Sequence, residues 1–411
     1  MLLDAFSLLV TKAAFIGLRL IVLYLVAASL GSSQFGAIAF AMTVSEFVRF
    51  AADWGIDTLS LRAFSNPDRS LASAQFRSIL RVKLASAALA FALCLAIILP
   101  FSGVQSLSVA VLLSLTSVSS LWLNLAINWL QARGMLRPAA IRMGAISVAA
   151  VAVQLGAHAL AWAPAGRFAA MTAFELAMVA TMLRMAFADL TPATGNHHPA
   201  VHSMAGWLRA STPIALATIL ALSYARFDQV YIRIFFPLSV LGDFALAARL
   251  VEPMLFVVAS ITSTLYARAS TLVWQGAQEA ALRTMARKWI VVAASSAIVL
   301  ATVMAFAGSY GLARFFPQYV HTPLFLWITL AALPFRCVNL CLTAFLQALG
   351  QFRSVLRINL FNFANIAVLV MLGGHFYGFV GAALAVVAGE AVNTIVQARK
   401  LVGTFHERKL Q

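Results

Sequence analysis

About a dozen apolar stretches, each roughly 20 residues or longer, dictate what this chain of 411 residues can fold into. They fall near 6–30, 35–60, 79–100, 107–131, 139–162, 165–187, 207–236, 239–266, 288–312, 322–348, 355–373 and 377–399. Charged residues make up 10% of the sequence, where a soluble domain carries about 25%. The expected fold class is therefore all-α: a polytopic membrane protein of about 12 transmembrane helices. No soluble domain fits into loops this short. The opening segment carries Asp4 in place of a basic n-region and is expected to be a retained first helix.

Basic residues sort with this count. One side collects Arg62, Arg69, Arg77, Arg81 and Lys83, then Arg133, Arg137 and Arg142, and four further groups ending at Lys409. The other side holds only Arg167 and Arg314. The imbalance places the basic side and both termini in the cytoplasm. The net charge of +16 thus follows the membrane, and no basic patch interleaved with aromatics suggests nucleic acid.

The chain also repeats itself. Residues 35–88 match 241–294 at a constant shift of 206: Gly36 with Gly242, Glu46 with Glu252, Phe50 with Phe256, Arg62 with Arg268, Arg77 with Arg283 and Arg81 with Arg287. A second echo sets Leu130-Gln131-Ala132-Arg133-Gly134 beside Leu346-Gln347-Ala348-Leu349-Gly350. Six spans per half is an even number, so the repeat is parallel, with the two lobes in like orientation. The expected division is 1–187, a cytoplasmic linker at 188–206 containing Pro192, Gly195 and Pro199, and 207–411. A substrate site is expected near the midplane, between the halves.

Ionisable residues inside the spans point to function. A cation at the bilayer centre costs roughly 2.5–3.5 kcal/mol on the lenient scale. About seven of them facing lipid would cost on the order of 20 kcal/mol, more than a domain's net stability. They must face one another or a wet interior. Lys12 and Arg19 share a face of the first span, as do Arg226 and Arg233 of the seventh. Glu46, Arg49, Asp53 and Asp57 line one face of the second span, where Arg49 and Asp53 can pair at i,i+4. Arg249 and Glu252 can pair at i,i+3, and Asp228, Arg336, Asn339 and Glu390 complete the set. Lys12, Arg19, Arg226, Arg233 and Arg336 lack a local acidic partner, which leaves surplus cations suited to an anion; arginine grips phosphate with paired donors. Internal ion pairs that fix helix packing are the alternative. Amide stripes (Asn124 and Asn128; Asn359, Asn362 and Asn365; Asn393, Thr394 and Gln397) fit interhelical hydrogen bonds, or sugar hydroxyls. His197, His198 and His202 read as a solvated loop rather than a metal site. No catalytic residue, metal or cofactor is expected.

The stretches Leu30-Gly31-Ser32-Ser33-Gln34-Phe35-Gly36 and Ala52-Asp53-Trp54-Gly55-Ile56-Asp57 resemble the first hairpin of bacterial polysaccharide transporters, the Wzx-type flippases. Ala225-Arg226-Phe227-Asp228-Gln229, Ala247-Ala248-Arg249-Leu250-Val251-Glu252-Pro253 and the Leu-Gln-Ala-x-Gly echoes fit the same family. The resemblance implies two six-helix lobes in a V around a cavity, as in the superfamily of multidrug exporters and the lipid II flippase. It implies alternating access that moves an undecaprenyl-diphosphate-linked oligosaccharide to the outer leaflet, with H+ or Na+ as candidate coupling ion. Partners would then be membrane lipid and the pathway's polysaccharide polymerase and glycosyltransferases. On this reading Lys12, Arg19, Arg49, Arg226, Arg233, Arg249, Arg336 and Asn339 bind substrate. Glu46, Asp53, Asp228, Glu252 and Glu390 pair or exchange protons. An ion-coupled antiporter of small amphiphiles is the alternative. A membrane-embedded polymerase or ligase would need a catalytic constellation at a membrane face, which the sequence lacks.

Overall fold

The computed structural model describes residues 17–66, 68–101, 103–104, 106–191, 203–274 and 279–409. Lys12 and the histidines at 197, 198 and 202 lie outside them. The described residues form twelve helices: α1 (Gly17–Ser29), α2 (Ser32–Asp53), α3 (Ile56–Phe64), α4 (Arg69–Phe101), α5 (Leu107–Ala132), α6 (Leu136–Ala159), α7 (Pro164–Asp189), α8 (Met204–Phe235), α9 (Leu238–Trp274), α10 (Glu279–Phe315), α11 (Thr322–Ala348) and α12 (Phe352–Lys409). Nine of these are long and apolar enough to cross a membrane. With no strand among the described residues, the all-α, multi-pass architecture expected from hydropathy is the one observed.

Local chemistry sets the breaks. Helix α12 is two helices joined at Gly378, whose φ of 64° and ψ of −155° are non-helical. The chain folds back there, so that Ile366 and Val370 pack against Ala382, Ala385 and Val386. Helices α2 and α3 are separated by Trp54 and Gly55, both left-handed at φ 49° and 74°. The two Leu-Gln-Ala echoes end α5 and α11 in the same way. Gly134 (φ 71°) and Gly350 (φ 76°) take the left-handed position. The Met135 N–H donates to Leu130 O at 2.8 Å and the Gly134 N–H to Gln131 O at 3.2 Å; Gln351 donates to Leu346 O and Gly350 to Gln347 O, both at 2.9 Å. Each is a glycine-terminated Schellman cap. The sequence repeat is therefore also a repeat of backbone geometry.

The chain divides into two compact units. Among the described residues, one takes those up to Leu30 and Ala37–Ile219; the other takes Gly31–Gly36 and Leu220 onward. The fourth span of each half is its central helix. In the first unit α5 packs against α3, α4, α6 and α7; in the second, α11 packs against α9, α10 and α12. Both are apolar on most faces, as a helix surrounded by protein must be.

One contact within the second unit joins repeat-equivalent glycines. A Cβ on Gly36 would lie 2.0 Å from Leu238 O and 2.9 Å from Gly242 N. A Cβ on Gly242 would lie 1.9 Å from Ser32 O and 3.1 Å from Gly36 N. Ser32 and Leu238 are themselves equivalent under the shift of 206. The crossing of α2 and α9 is thus locally isologous: each residue meets the mate of its own neighbour. Only glycine permits two backbones this close.

Candidate functional site

Each unit gathers its charged residues around a cavity of its own. In the first, the cavity is lined by Arg19, Glu46, Arg49, Ser45, Thr116 and Ser117, with apolar residues around them. Arg19 on α1 reaches Glu175 on α7. Its Nε lies 2.5 Å from Glu175 Oε1 and its Nη2 lies 2.9 Å from Oε2, a bidentate fork. The same Nη2 donates to Thr116 O at 2.7 Å and Ser120 Oγ at 3.2 Å, both on α5. Glu175 is fully buried, while Arg19 keeps 27% of its side-chain exposure.

Arg49 differs. Its guanidinium lies 3.9 Å over the Phe50 ring, and among the described residues no carboxylate stands within ion-pair distance of it. The expected Arg49–Asp53 pair is not formed, because Asp53 has a stronger partner. Lys83 Nζ on α4 lies 2.8 Å from Asp53 Oδ1 and also donates to Asp57 Oδ1 and, at 3.2 Å, to Leu121 O. The left-handed turn at Trp54–Gly55 sets the two aspartates around that one ammonium. Asn124 Nδ2 donates to Asp57 Oδ2 at 2.9 Å, and Asn128 Nδ2 to Asp57 O at 2.8 Å. Lys83, expected in a cytoplasmic loop, is 1% exposed inside the unit. The reason is the length of α4: 33 residues, starting at Arg69, more than a bilayer core needs.

Arg167, one of the two cations expected on the outer side, is also buried. It donates to Leu25 O at 2.7 Å and Ser29 Oγ at 3.1 Å, which satisfies the C-terminal end of α1.

In the second unit a cavity is lined by Arg226, Asp228, Glu252 and Arg336. Glu252 serves two arginines. Arg226 Nη1 lies 2.8 Å from Oε1, and Arg249 Nη1 donates to Oε2 at 2.8 Å. Asp228 is buried and accepts the Gln229 N–H at 2.7 Å. Arg336 Nε donates to Glu390 Oε1 at 3.2 Å, and Asn339 Nδ2 to Glu390 Oε2 at 2.8 Å. Arg233 is half-buried, two turns further along α8, and does not line the cavity. The stripe of the last span is spent on helix-to-helix bonds, Thr394 Oγ1 to Asn339 Oδ1 at 2.8 Å and Thr343 Oγ1 to Gln397 Oε1 at 3.0 Å, whereas both amide atoms of Asn362 and the Nδ2 of Asn365 are buried without a hydrogen-bond partner among the described residues.

The expectation that Arg19, Arg226 and Arg336 are surplus cations is therefore corrected. Each has a carboxylate, supplied by another helix. Two members of these buried charge clusters escaped the sequence reading: Glu175, which it did not single out, and Lys83, which it placed in a loop. For Glu175 a signal existed, as the sole acid in the sixth apolar stretch, 215 residues before Glu390 in the twelfth.

An all-α chain with twelve helices among its described residues, and with charged cavities inside each unit, defines a polytopic membrane protein with the fold of MATE-type transporters. No family model matches the sequence, and no curated protein does. Solved structures do match in fold. An inward-facing multidrug-resistance MATE transporter of the MOP superfamily superimposes at TM-score 0.76 with 14% identity, over 96% of this chain and 95% of that one. An outward-facing MATE transporter gives 0.71 at 14%, over 99% and 95%. The lipid II flippase MurJ, in an inward closed conformation, gives 0.72 at 12%, over 98% and 90%.

Proposed function

We propose that this chain is an inner-membrane flippase, carrying an undecaprenyl-diphosphate-linked oligosaccharide from the cytoplasmic to the outer leaflet by alternating access. The observation that carries the reading is Arg49, a half-buried cation lining a cavity with Arg19 and with no carboxylate in ion-pair range among the described residues. A guanidinium in low dielectric without its own acid suits phosphate oxygens, which it can hold with paired donors. Arg226 and Arg336 add to it, since both line the cavity of the second unit. The fold likeness to a lipid II flippase supports the same class of cargo. On the same reading both termini lie in the cytoplasm, and a polysaccharide polymerase and glycosyltransferases act alongside the flippase.

A second reading, an ion-coupled antiporter of small amphiphiles, is favoured by one observation. Asp53 and Asp57 put two carboxylates on the one ammonium of Lys83, an arrangement with room for an H+ or Na+. Replacing Arg49 by Ala, with Arg49→Lys as the charge control, separates the two. The flippase reading expects surface polysaccharide to fall at least about tenfold in Arg49→Ala, and drug susceptibility to stay unchanged; tenfold corresponds to about 1.4 kcal/mol. Normal polysaccharide at equal protein abundance would overturn it, and a change in drug susceptibility alone would favour the antiporter.

A further inference from the structure

Of two buried carboxylates near Arg336, in the second unit, the arginine bonds one. Asp228 is 4% exposed and lines the cavity, yet among the described residues no cation lies within ion-pair distance of it. It accepts the N–H of its neighbour Gln229 at 2.7 Å. Arg336 lines the same cavity and bonds Glu390 through Nε at 3.2 Å, long for a charge-assisted contact. Its terminal nitrogens make no hydrogen bond among the described residues, and the side chain keeps 22% of its exposure. Arg19 holds the corresponding carboxylate of the first unit, Glu175, in a bidentate fork, so the Arg336 contact is the looser of the two. Glu390 also has a second donor, Asn339 Nδ2 at 2.8 Å from its other oxygen, which stays when the arginine leaves.

We propose that Arg336 is a two-position arm, on Glu390 in this structure and on Asp228 in another state, and that the carboxyl group it leaves holds a proton, so that the second unit binds H+. A carboxylate buried in a membrane interior without a cation is strongly disfavoured, and a proton is the smallest ligand that neutralises it. The other ionisable groups around Asp228 are Tyr224 and Arg226 on its own helix, Arg249 and Glu252 on α9, and Glu390 on the last span. Arg226 is turned to Glu252, which makes Arg336 the cation from another helix that shares the cavity with Asp228. The exchange balances. When the arm passes from Glu390 to Asp228, Asp228 gives up its proton and Glu390 takes one. One arginine and one proton serve the two carboxylates in either position, so the interior charge does not change with the arm. Uptake and release then fall on different helices, the last span and α8. The proposal goes beyond the cargo reading above and holds for an anionic or an amphiphilic cargo.

The test uses the full-length protein in lipid nanodiscs and reads the infrared C=O stretch of protonated carboxyl groups at neutral pH, assigned by its shift in deuterated water. No cargo is added, so the result is independent of the flippase reading, which Arg49→Ala tests in cells. Asp228→Asn is expected to remove one component of the band. Glu390→Gln is expected to remove the same component although Asp228 is intact, because the arginine passes to Asp228 and ionises it. A role in packing alone would not move that component. Arg336→Gln is expected to add a second component, from Glu390, and carries the test should Glu390→Gln fail to fold. A band unchanged in Asp228→Asn overturns the proton site, and the proposal with it. A component that persists in Glu390→Gln, or a band unchanged in Arg336→Gln, overturns the two-position arm.

Discussion

The two units solve one electrostatic problem with different cations. Both place a buried glutamate on the sixth span of their half, Glu175 on α7 and Glu390 in α12. In the second unit the arginine that answers it, Arg336, comes from the fourth span. In the register of the Leu-Gln-Ala echo the equivalent of Arg336 is Ser120, and there the cation arrives from the first span instead: Arg19 holds Glu175 and donates to Ser120 Oγ. Arg226, the counterpart of Arg19 to within one position, turns to Glu252. The acids hold their repeat positions while the bases have been exchanged between helices. A buried carboxylate fixes where a positive charge must be, but not which helix supplies it.

The units differ most at Lys83: the position 206 residues on is Trp289, and the lysine beside it, Lys288, is exposed. Lys83 is nearly sealed, and two aspartates and the Leu121 carbonyl depend on it. Removing one partner of such a cluster strands the others. Lys83→Met is expected to cost roughly 3–5 kcal/mol, the largest effect of any substitution considered, read as a lowered unfolding temperature of the purified protein. Adding Asp53→Asn and Asp57→Asn should restore much of the loss. A single Lys83→Met protein as stable as wild type would show that the aspartates do not need this ammonium.

Next in size are the glycines where α2 and α9 cross. Because the crossing is isologous, Gly36→Ala and Gly242→Ala introduce nearly the same clash, a methyl within about 2 Å of a carbonyl oxygen. Backbone atoms cannot swing aside, so each is expected to destabilise by about 1–3 kcal/mol, and the two by similar amounts. Thermal unfolding of both variants checks this. A large cost at one glycine with none at the other would break the local symmetry.

Much of this architecture was legible beforehand. Hydropathy gave the spans because lipid imposes a length on each of them. The echo around Gly134 and Gly350 marked the repeat, and the structure supplies its reason, two caps whose left-handed position selects glycine. Glu46 and Glu252 could be matched because charges are rare enough in this chain to register. The pairing of charges was not legible. Spacing rules reach three or four residues along one helix, so they favoured Arg49–Asp53, whereas Arg19 and Glu175 meet across 156 positions. Lys83 was misplaced for a related reason. It follows Arg77 and Arg81 closely, and a charge count along the chain cannot tell the first turns of a long helix from a loop.

The smallest expected effect sharpens the comparison of the two glutamates. If Arg19 truly stands in for an Arg336-like cation, then Ser120 only steadies it. Arg19 keeps both of its bonds to Glu175 and one to Thr116 O when the serine hydroxyl is gone. Ser120→Ala should therefore cost no more than about 0.6 kcal/mol, the average of an interhelical hydrogen bond in a membrane protein. Arg336→Ala, at the equivalent position, leaves Glu390 with Asn339 alone and should cost several-fold more. The ratio of the two losses, measured by unfolding under one set of conditions, reports where the positive charge resides. Comparable losses would mean that Ser120 matters to Glu175 directly, and that the cation exchange between helices is not what keeps the sixth-span carboxylates in place.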